Sequence, residues 1–190
     1  HSAVVIGGGN VAMDIARSVA RLQQAEYGAV DVTVTALEQQ QHFLADPDEI
    51  KEALEEGVEI IDRCGPQGCE IDPNGRLIGL KTWKVISIFD ADHRFAPQYD
   101  AADETIHPCE MVIEAIGQFA DYEAFGEHFM ESLEWERGRP RQSAEGQTTL
   151  PWLWVAGDCI NGPDVVHAVA DGHRVATSIH RQLIGEERSS

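Results

Sequence analysis

The sequence predicts an α/β fold built on a parallel sheet. Three observations carry that prediction. A short apolar run, "AVVI" at 3–6, has the composition of a buried strand. A glycine-rich step, "GGGN" at 7–10, separates it from a run whose apolar residues recur at helical spacing. Strand-like and helix-like stretches then alternate as β-α-β-α-β, the pattern of a parallel sheet wrapped by helices.

Each element has its own signal. The first helix follows from "VAMDIARSVARL", with Val11, Ala12, Ile15, Val19 and Leu22 as the expected apolar stripe. "DVTVTAL" at 31–37 alternates as a strand does. "DPDEIKEALEEG" at 46–57 opens on Asp46-Pro47, a good helix start, and stops at Gly57. "VEIID" at 58–62 reads as a third strand. From residue 75 the pattern changes: "GRLIGLKTWKVISIFD" alternates over two stretches and "DADHRF" reads as a turn, so antiparallel strands are expected there. "CEMVIEAIG" at 109–117 is expected to be the last parallel strand. Residues 119–150 read as polar loop, 152–156 ("WLWVA") as a strand, and 164–184 as a long helix after a Gly-Asp turn.

Composition narrows the function. The chain carries 33 Asp and Glu against 14 Lys and Arg, a net charge of −19, which repels phosphate backbones and anionic lipid. Nucleic acid and membrane are therefore not expected as main partners. No apolar run approaches the ~18–20 residues of a membrane span, and no signal peptide is visible. A cytoplasmic location is the expectation. The chain opens on His1-Ser2 and enters a strand at once, which reads as a piece of a longer protein. Cys64, Cys69, Cys109 and Cys159 form no CxxC, and free thiols are expected. "CGPQGC" is a poor match to metal spacing; His173 and His180 share a helix face but have no evident third ligand.

The chemistry begins at "IGGGNVAMD". It fits G-x-G-x-x-A through Gly7, Gly9 and Ala12, with Gly8, Asn10 and Val11 completing the turn. The pattern follows a strand and opens a helix, the context a Rossmann-type dinucleotide site requires. Gly7 permits the tight turn, Gly9 lets the backbone approach a pyrophosphate, and Ala12 lets helix and strand pack closely. The helix N-terminus then offers free N–H groups and a favourable dipole to the anion. The residue that reads the adenosine ribose should follow the second strand, and Glu38 sits there. A carboxylate accepts hydrogen bonds from the ribose 2′-OH and repels a 2′-phosphate, so NADH is expected to be slightly preferred over NADPH. The separation from Gly7 to Glu38 exceeds the usual ~20 residues. The segment "QQAEYGAV" accounts for the excess as a longer helix tail and connector.

Two further stretches, "VIEAIGQ" (112–118) and "WLWVAGDCINGPDVVHAVADGHRVATSIHRQL" (152–183), join "GGGNVAMDIAR" in a resemblance to flavoproteins with two dinucleotide-binding domains. The resemblance is closest to the small subunit of glutamate synthase and its relatives, and it spans residues 3–184. It implies a nicotinamide domain over 1–117, inserted into a flavin domain whose C-terminal half is 118–190. It implies that Ala115, Ile116, Gly117 and Gln118 form the crossover beside the flavin. It also implies that Gly157 and Asp158 meet the ribityl–pyrophosphate linker of FAD, while the helix N-terminus near Val165 and Val166 faces the flavin C2 carbonyl.

The first flavin-binding unit would then precede residue 1. The family often places arginines after the second strand to hold a 2′-phosphate; Leu37 and Glu38 stand at those positions. Electrons from the flavin would pass to iron–sulfur centres or to a further domain or subunit. Two other readings compete: a nucleotide-sensing module without chemistry, and a self-sufficient dehydrogenase. The latter wants a Tyr/Lys or His/Asp pair at the strand ends, and the sequence offers no convincing one.

Overall fold

The computed structural model describes residues 1–118, 120–160 and 164–185. The chain divides into two compact units, His1–Gly117 and Gln118–Ser190. In the first unit, β1 (Ala3–Ile6), β2 (Val32–Thr35), β3 (Glu59–Ile61) and β7 (Met111–Glu114) form one parallel sheet in the order β3-β2-β1-β7. The helices α1 (Asn10–Tyr27) and α2 (Pro47–Glu55) make the crossovers β1-α1-β2 and β2-α2-β3. Strand β1 is central, and its register runs Ala3↔Val32 on one side and Ala3↔Met111 on the other.

The sheet is buried on both faces, which explains the unbroken apolar character of β1. Val5, Val32 and Val34 pack with Ala12, Met13, Ala16 and Ala20 of α1. Val4 and Ile6 point the other way and pack with Leu80 and Cys109. Each such burial contributes roughly 1.5–3 kcal/mol for a Val or Ile side chain. The stripe expected on α1 is rotated. Val11 and Leu22 are 61% and 70% exposed, Ile15 and Val19 flank the core, and the buried line is Ala12, Met13, Ala16, Ala20 and Gln23. Small residues on that line let the helix sit close to the strands, and the larger residues fall at its margins.

Gln23 is a polar member of this line with a structural task. Its amide nitrogen donates to the carbonyls of His1 and Asp31, and its Oε1 accepts the Asp31 N–H at 2.6 Å. It ties the start of β1 to the approach to β2. Arg17 on α1 pairs with Glu49, Glu52 and Glu56, and Arg21 with Glu56, joining α1 to α2. Asp46 caps α2 by accepting the Asp48 N–H at 2.9 Å, as Asp46-Pro47 predicts.

The insertion between β3 and β7 is an antiparallel sheet of β4 (Cys64–Ile71), β5 (Leu77–Phe89) and β6 (Phe95–Pro108). The last two strands and their turn match the alternating pattern. Strand β4 does not: "CGPQGCEI" carries two glycines and a proline. It is tolerated because β4 is an edge strand and the ladder is irregular between Pro66 and Gly68. Within the sheet, Thr82 Oγ1 and His107 Nε2 lie 2.9 Å apart and both residues are buried. Burial pushes the His107 pKa below the ordinary imidazole value.

The second unit departs more from expectation. Residues 119–150, read as loop, contain a short helix α3 (Glu127–Glu131) and a hairpin of β8 (Trp135–Glu136) and β9 (Arg139–Pro140). Arg137 and Gly138 both have positive φ, +53° and +76°, the requirement of a two-residue type I′ hairpin turn. "WLWVA" forms no strand of a sheet; Trp154 makes only an isolated bridge with Gln147. A strand needs a partner along its length, and among the described residues this segment has one at a single position. The long helix α4 (Val165–Ile184) forms as expected and ends on Gly185 at φ +72°.

A candidate dinucleotide site at the strand crossover point

The sheet changes direction at β1: β2 and β3 follow on one side and β7 joins on the other. In open parallel sheets, ligands bind outside the C-terminal strand ends at such a point. The glycine turn sits there. Gly7 leaves β1 with φ +143°. A Cβ on Gly7 would lie 2.9 Å from the Ala115 carbonyl carbon, closer still to its oxygen, and 3.4 Å from Ala12 Cβ. The Gly7 N–H donates to Thr35 O at 2.8 Å, and the Ala115 N–H to Ile6 O at 2.8 Å. One glycine therefore allows three strand ends to converge.

Gly8 has a different constraint. Its carbonyl accepts the Ala45 N–H at 3.0 Å, and a Cβ would press on the Phe43 ring at 3.1 Å. Gly9 is open: a Cβ would meet nothing within 4 Å, and its φ of −103° suits any residue. It is the N-cap of the 18-residue α1, and its carbonyl accepts from Ala12 and Met13. Asn10 and Val11 are exposed just beyond it, and α1 has no acidic residue in its first turn. The turn thus presents helix N-terminal amides and open space, a combination that suits a phosphate. Asn10 is also a brace, because its Oδ1 accepts the Asp46 N–H at 2.7 Å.

Glu38 lies three residues beyond the end of β2 and is half-buried. Its backbone is held: the Arg63 N–H donates to Glu38 O at 3.2 Å, and Cys64 N–H to Ala36 O at 2.8 Å. The loop that follows is tied to the end of β3, since Asp62 Oδ2 accepts the Gln40 N–H at 3.0 Å. Only glutamines and His42 follow Glu38 closely in the chain, whereas the pairing of β2 with β3 brings Arg63 to Glu38 from 25 positions further along, a meeting the local sequence does not show. Ala115 reaches the glycine turn, and Ile116 and Gly117 follow it; Ile116 is 71% exposed and Gly117 has φ +96°. Gln118 begins the second unit.

In that unit, Gly157 is buried at φ +75° in a single 3₁₀ turn, Gly157–Cys159, and Asp158 is exposed. The Gly157 N–H donates to Asp171 Oδ2 at 3.1 Å, and Asp171 Oδ1 pairs with Arg174 at 2.6 Å. Asp158 does not cap the helix. Asp164 does, accepting the His167 N–H at 2.8 Å, and that bond holds its carboxyl below the usual carboxylate range. Val165 and Val166 stand exposed in the first turn. Residues 161–163, between the turn and the helix, lie outside the described residues. The cysteines are free thiols, and no cluster that could hold a metal occurs among the described residues. Among them, no helix is long and apolar enough to cross a membrane.

Comparison with known proteins places the chain in a family. The chain is 33% identical over 192 residues to the glutamate synthase (NADPH) small chain of Escherichia coli K12, covering 95% of this chain and 38% of that one. It is 33% identical over 186 residues to the NAD-dependent dihydropyrimidine dehydrogenase subunit PreT of the same organism, covering 97% and 38%. The chain thus spans well under half the length of these relatives. Among solved structures, the thioredoxin reductase of T. acidophilum matches with a TM-score of 0.72 at 19% identity, over 96% of this chain and 53% of that one. This last likeness shows a shared fold. A family model described as pyridine nucleotide-disulphide oxidoreductase matches residues 1–172, and the chain belongs to that family of flavin- and nicotinamide-dependent oxidoreductases.

Proposed function

We propose that the chain is the nicotinamide-nucleotide-binding portion of a flavin-dependent oxidoreductase that passes a hydride from NAD(P)H to FAD. Electrons then go on to iron–sulfur centres or a partner subunit. The observation that carries this reading is the pairing of a closed Gly7 with an open Gly9 at the strand crossover. The first packs three strand ends together; the second leaves helix amides accessible. Gly7 to Ala12 would hold the pyrophosphate, Glu38 the adenosine ribose, and Ala115 to Gly117 would border the nicotinamide half. Gln118 would continue that border toward the flavin.

In the second unit, Gly157, Asp158 and the first turn of α4 at Val165 and Val166 would face FAD. The exposed Asp158 carboxylate, free of a capping role, suits a hydroxyl of the linker. Bound FAD would supply the two-electron acceptor for the hydride leaving nicotinamide C4. The protein's part in such a transfer is closeness and alignment, so no side chain need act as acid or base.

Gly9→Val tests the reading. It is expected to abolish NADH binding in titration calorimetry while leaving the fold within about 1 kcal/mol of wild type, because a side chain there blocks the phosphate while its Cβ meets nothing within 4 Å. Unchanged affinity would overturn the assignment. The chain should also purify colourless; one FAD per chain would show that its flavin site is whole. Nucleotide binding with no flavin half in the parent protein would favour the sensing module instead.

A further inference from the structure

We propose that Arg63 is a specificity-determining residue of the adenosine end, supplying from β3 the cation that admits a 2′-phosphate beside Glu38. The inference rests on the dinucleotide reading above. Four observations lead to it. The Arg63 N–H donates to Glu38 O, so the two residues are neighbours at the C-terminal ends of adjacent parallel strands. The Arg63 backbone is fixed on its other side too, its carbonyl accepting the Val85 N–H at 2.8 Å.

Arg63 has φ +54°, one of three non-glycine residues with positive φ among the described residues. The other two, His93 and Arg137, occupy hairpin turns that demand it. Arg63 lies instead between two strands of different sheets, β3 and β4. Such strain in a non-glycine residue is a reason to look for function. Finally, its side chain is exposed and makes no ion pair among the described residues. The arginines of α1, by contrast, are consumed by Glu49, Glu52 and Glu56.

The surroundings suit this role. Arg63 lines a cleft of about 590 Å³ with Gln39, Gln40, Gln41 and Phe43, directly after Glu38 in the chain. Asp62 also lines it, but its Oδ2 already accepts the Gln40 N–H. The amides and the guanidinium are the hydrogen-bond donors that a phosphate seeks, and a guanidinium fork holds phosphate in two parallel bonds. A net charge of −19 opposes the additional charge of NADPH at long range, so a local cation is what acceptance of NADPH requires. Glu38 and Arg63 then act against each other, which keeps the preference for NADH small.

The test uses the whole chain and two probes, 5′-ADP and 2′,5′-ADP, in titration calorimetry. Arg63→Asn is the first variant, because asparagine tolerates positive φ. It should lower the affinity for 2′,5′-ADP by about 10- to 100-fold and leave 5′-ADP within about twofold. Arg63→Glu should weaken 2′,5′-ADP further with 5′-ADP again little changed, and it carries the test if the asparagine variant does not fold. Equal loss for both probes, or no loss for either, would overturn the inference and leave the dinucleotide site standing. Failure of the wild type to bind either probe would overturn both together.

Discussion

The two units of the chain contrast in how they hold their candidate site residues. In the first, the glycine turn is fastened by the core itself. Val5, Ala12, Met13 and Val34 are wholly buried, and Gly7 bonds to β2 while packing on the end of β7. In the second, the 20-residue α4 has a single buried residue among those described, Val175, which packs on Gly146. Val165, Val166, Val169, Leu183 and Ile184 are exposed, as is Trp152. What fastens Gly157 there is polar: one N–H bond to Asp171, itself anchored by Arg174. The first site is a consequence of packing and should resist local change. The second buries Gly157 and Ile160 locally, but a few directed bonds rather than a packed strand core fasten it.

The largest expected effect comes from breaking the packed site. Gly7→Val puts a side chain into the Ala115 carbonyl at a φ that only glycine adopts readily, so a loss on the order of 3 kcal/mol or more is expected. Urea unfolding followed by circular dichroism would measure it. A loss under about 1 kcal/mol would mean that β7 can move aside and that Gly7 is not where the strand ends meet. The contrast with Gly9→Val sharpens the point: neighbouring glycines, one expected to fail in stability and the other only in binding.

A matched pair of truncations compares the units directly. Met13→Ala should cost roughly 2–5 kcal/mol, because the side chain is fully buried against β1 and β2. Leu183→Ala on α4 removes a residue that is 80% exposed and should stay within about 0.5 kcal/mol. The same unfolding experiment reads both. A comparable loss at Leu183 would mean that this end of α4 is packed in solution.

The smallest effect is one of pH. Burial lowers the His107 pKa, so in the folded chain the ring stays neutral where the unfolded chain already binds a proton. Stability is then unaffected by His107 above the ordinary value of 6.5 and falls as pH drops below it. The carboxyls of Glu56 and Asp72 are also held below their ordinary values, by hydrogen bonds from Arg21 and from the Arg76 N–H, so they add stability that is lost as pH falls below the ordinary carboxylate range, beneath the window of His107. Between pH 6.5 and 5 the decline should belong to His107 and be absent in His107→Gln. An identical decline in that variant would assign it elsewhere.

Local chemistry made much of this legible in the sequence. β1, α1, α2 and α4 are visible because periodicity, Asp46-Pro47 and the closing glycines are local signals, and the glycine pattern announces its strand and helix. Elements that depend on partners were not visible. Strand β4 carries no alternating pattern because its composition is poor, and only pairing with β5 makes it a strand. "WLWVA" looks like a strand and pairs at a single point. The same division runs through the site. Gly7, Gly9 and Ala12 are three positions of one local turn, so their spacing alone places them. Glu38 is identifiable by rank after the second strand. The contact of Gly7 with Ala115 joins residues 108 positions apart, and that of Glu38 with Arg63 joins residues 25 apart. Only the strand order β3-β2-β1-β7 decides those meetings, because backbone pairing between distant segments leaves no trace in the local pattern of either one.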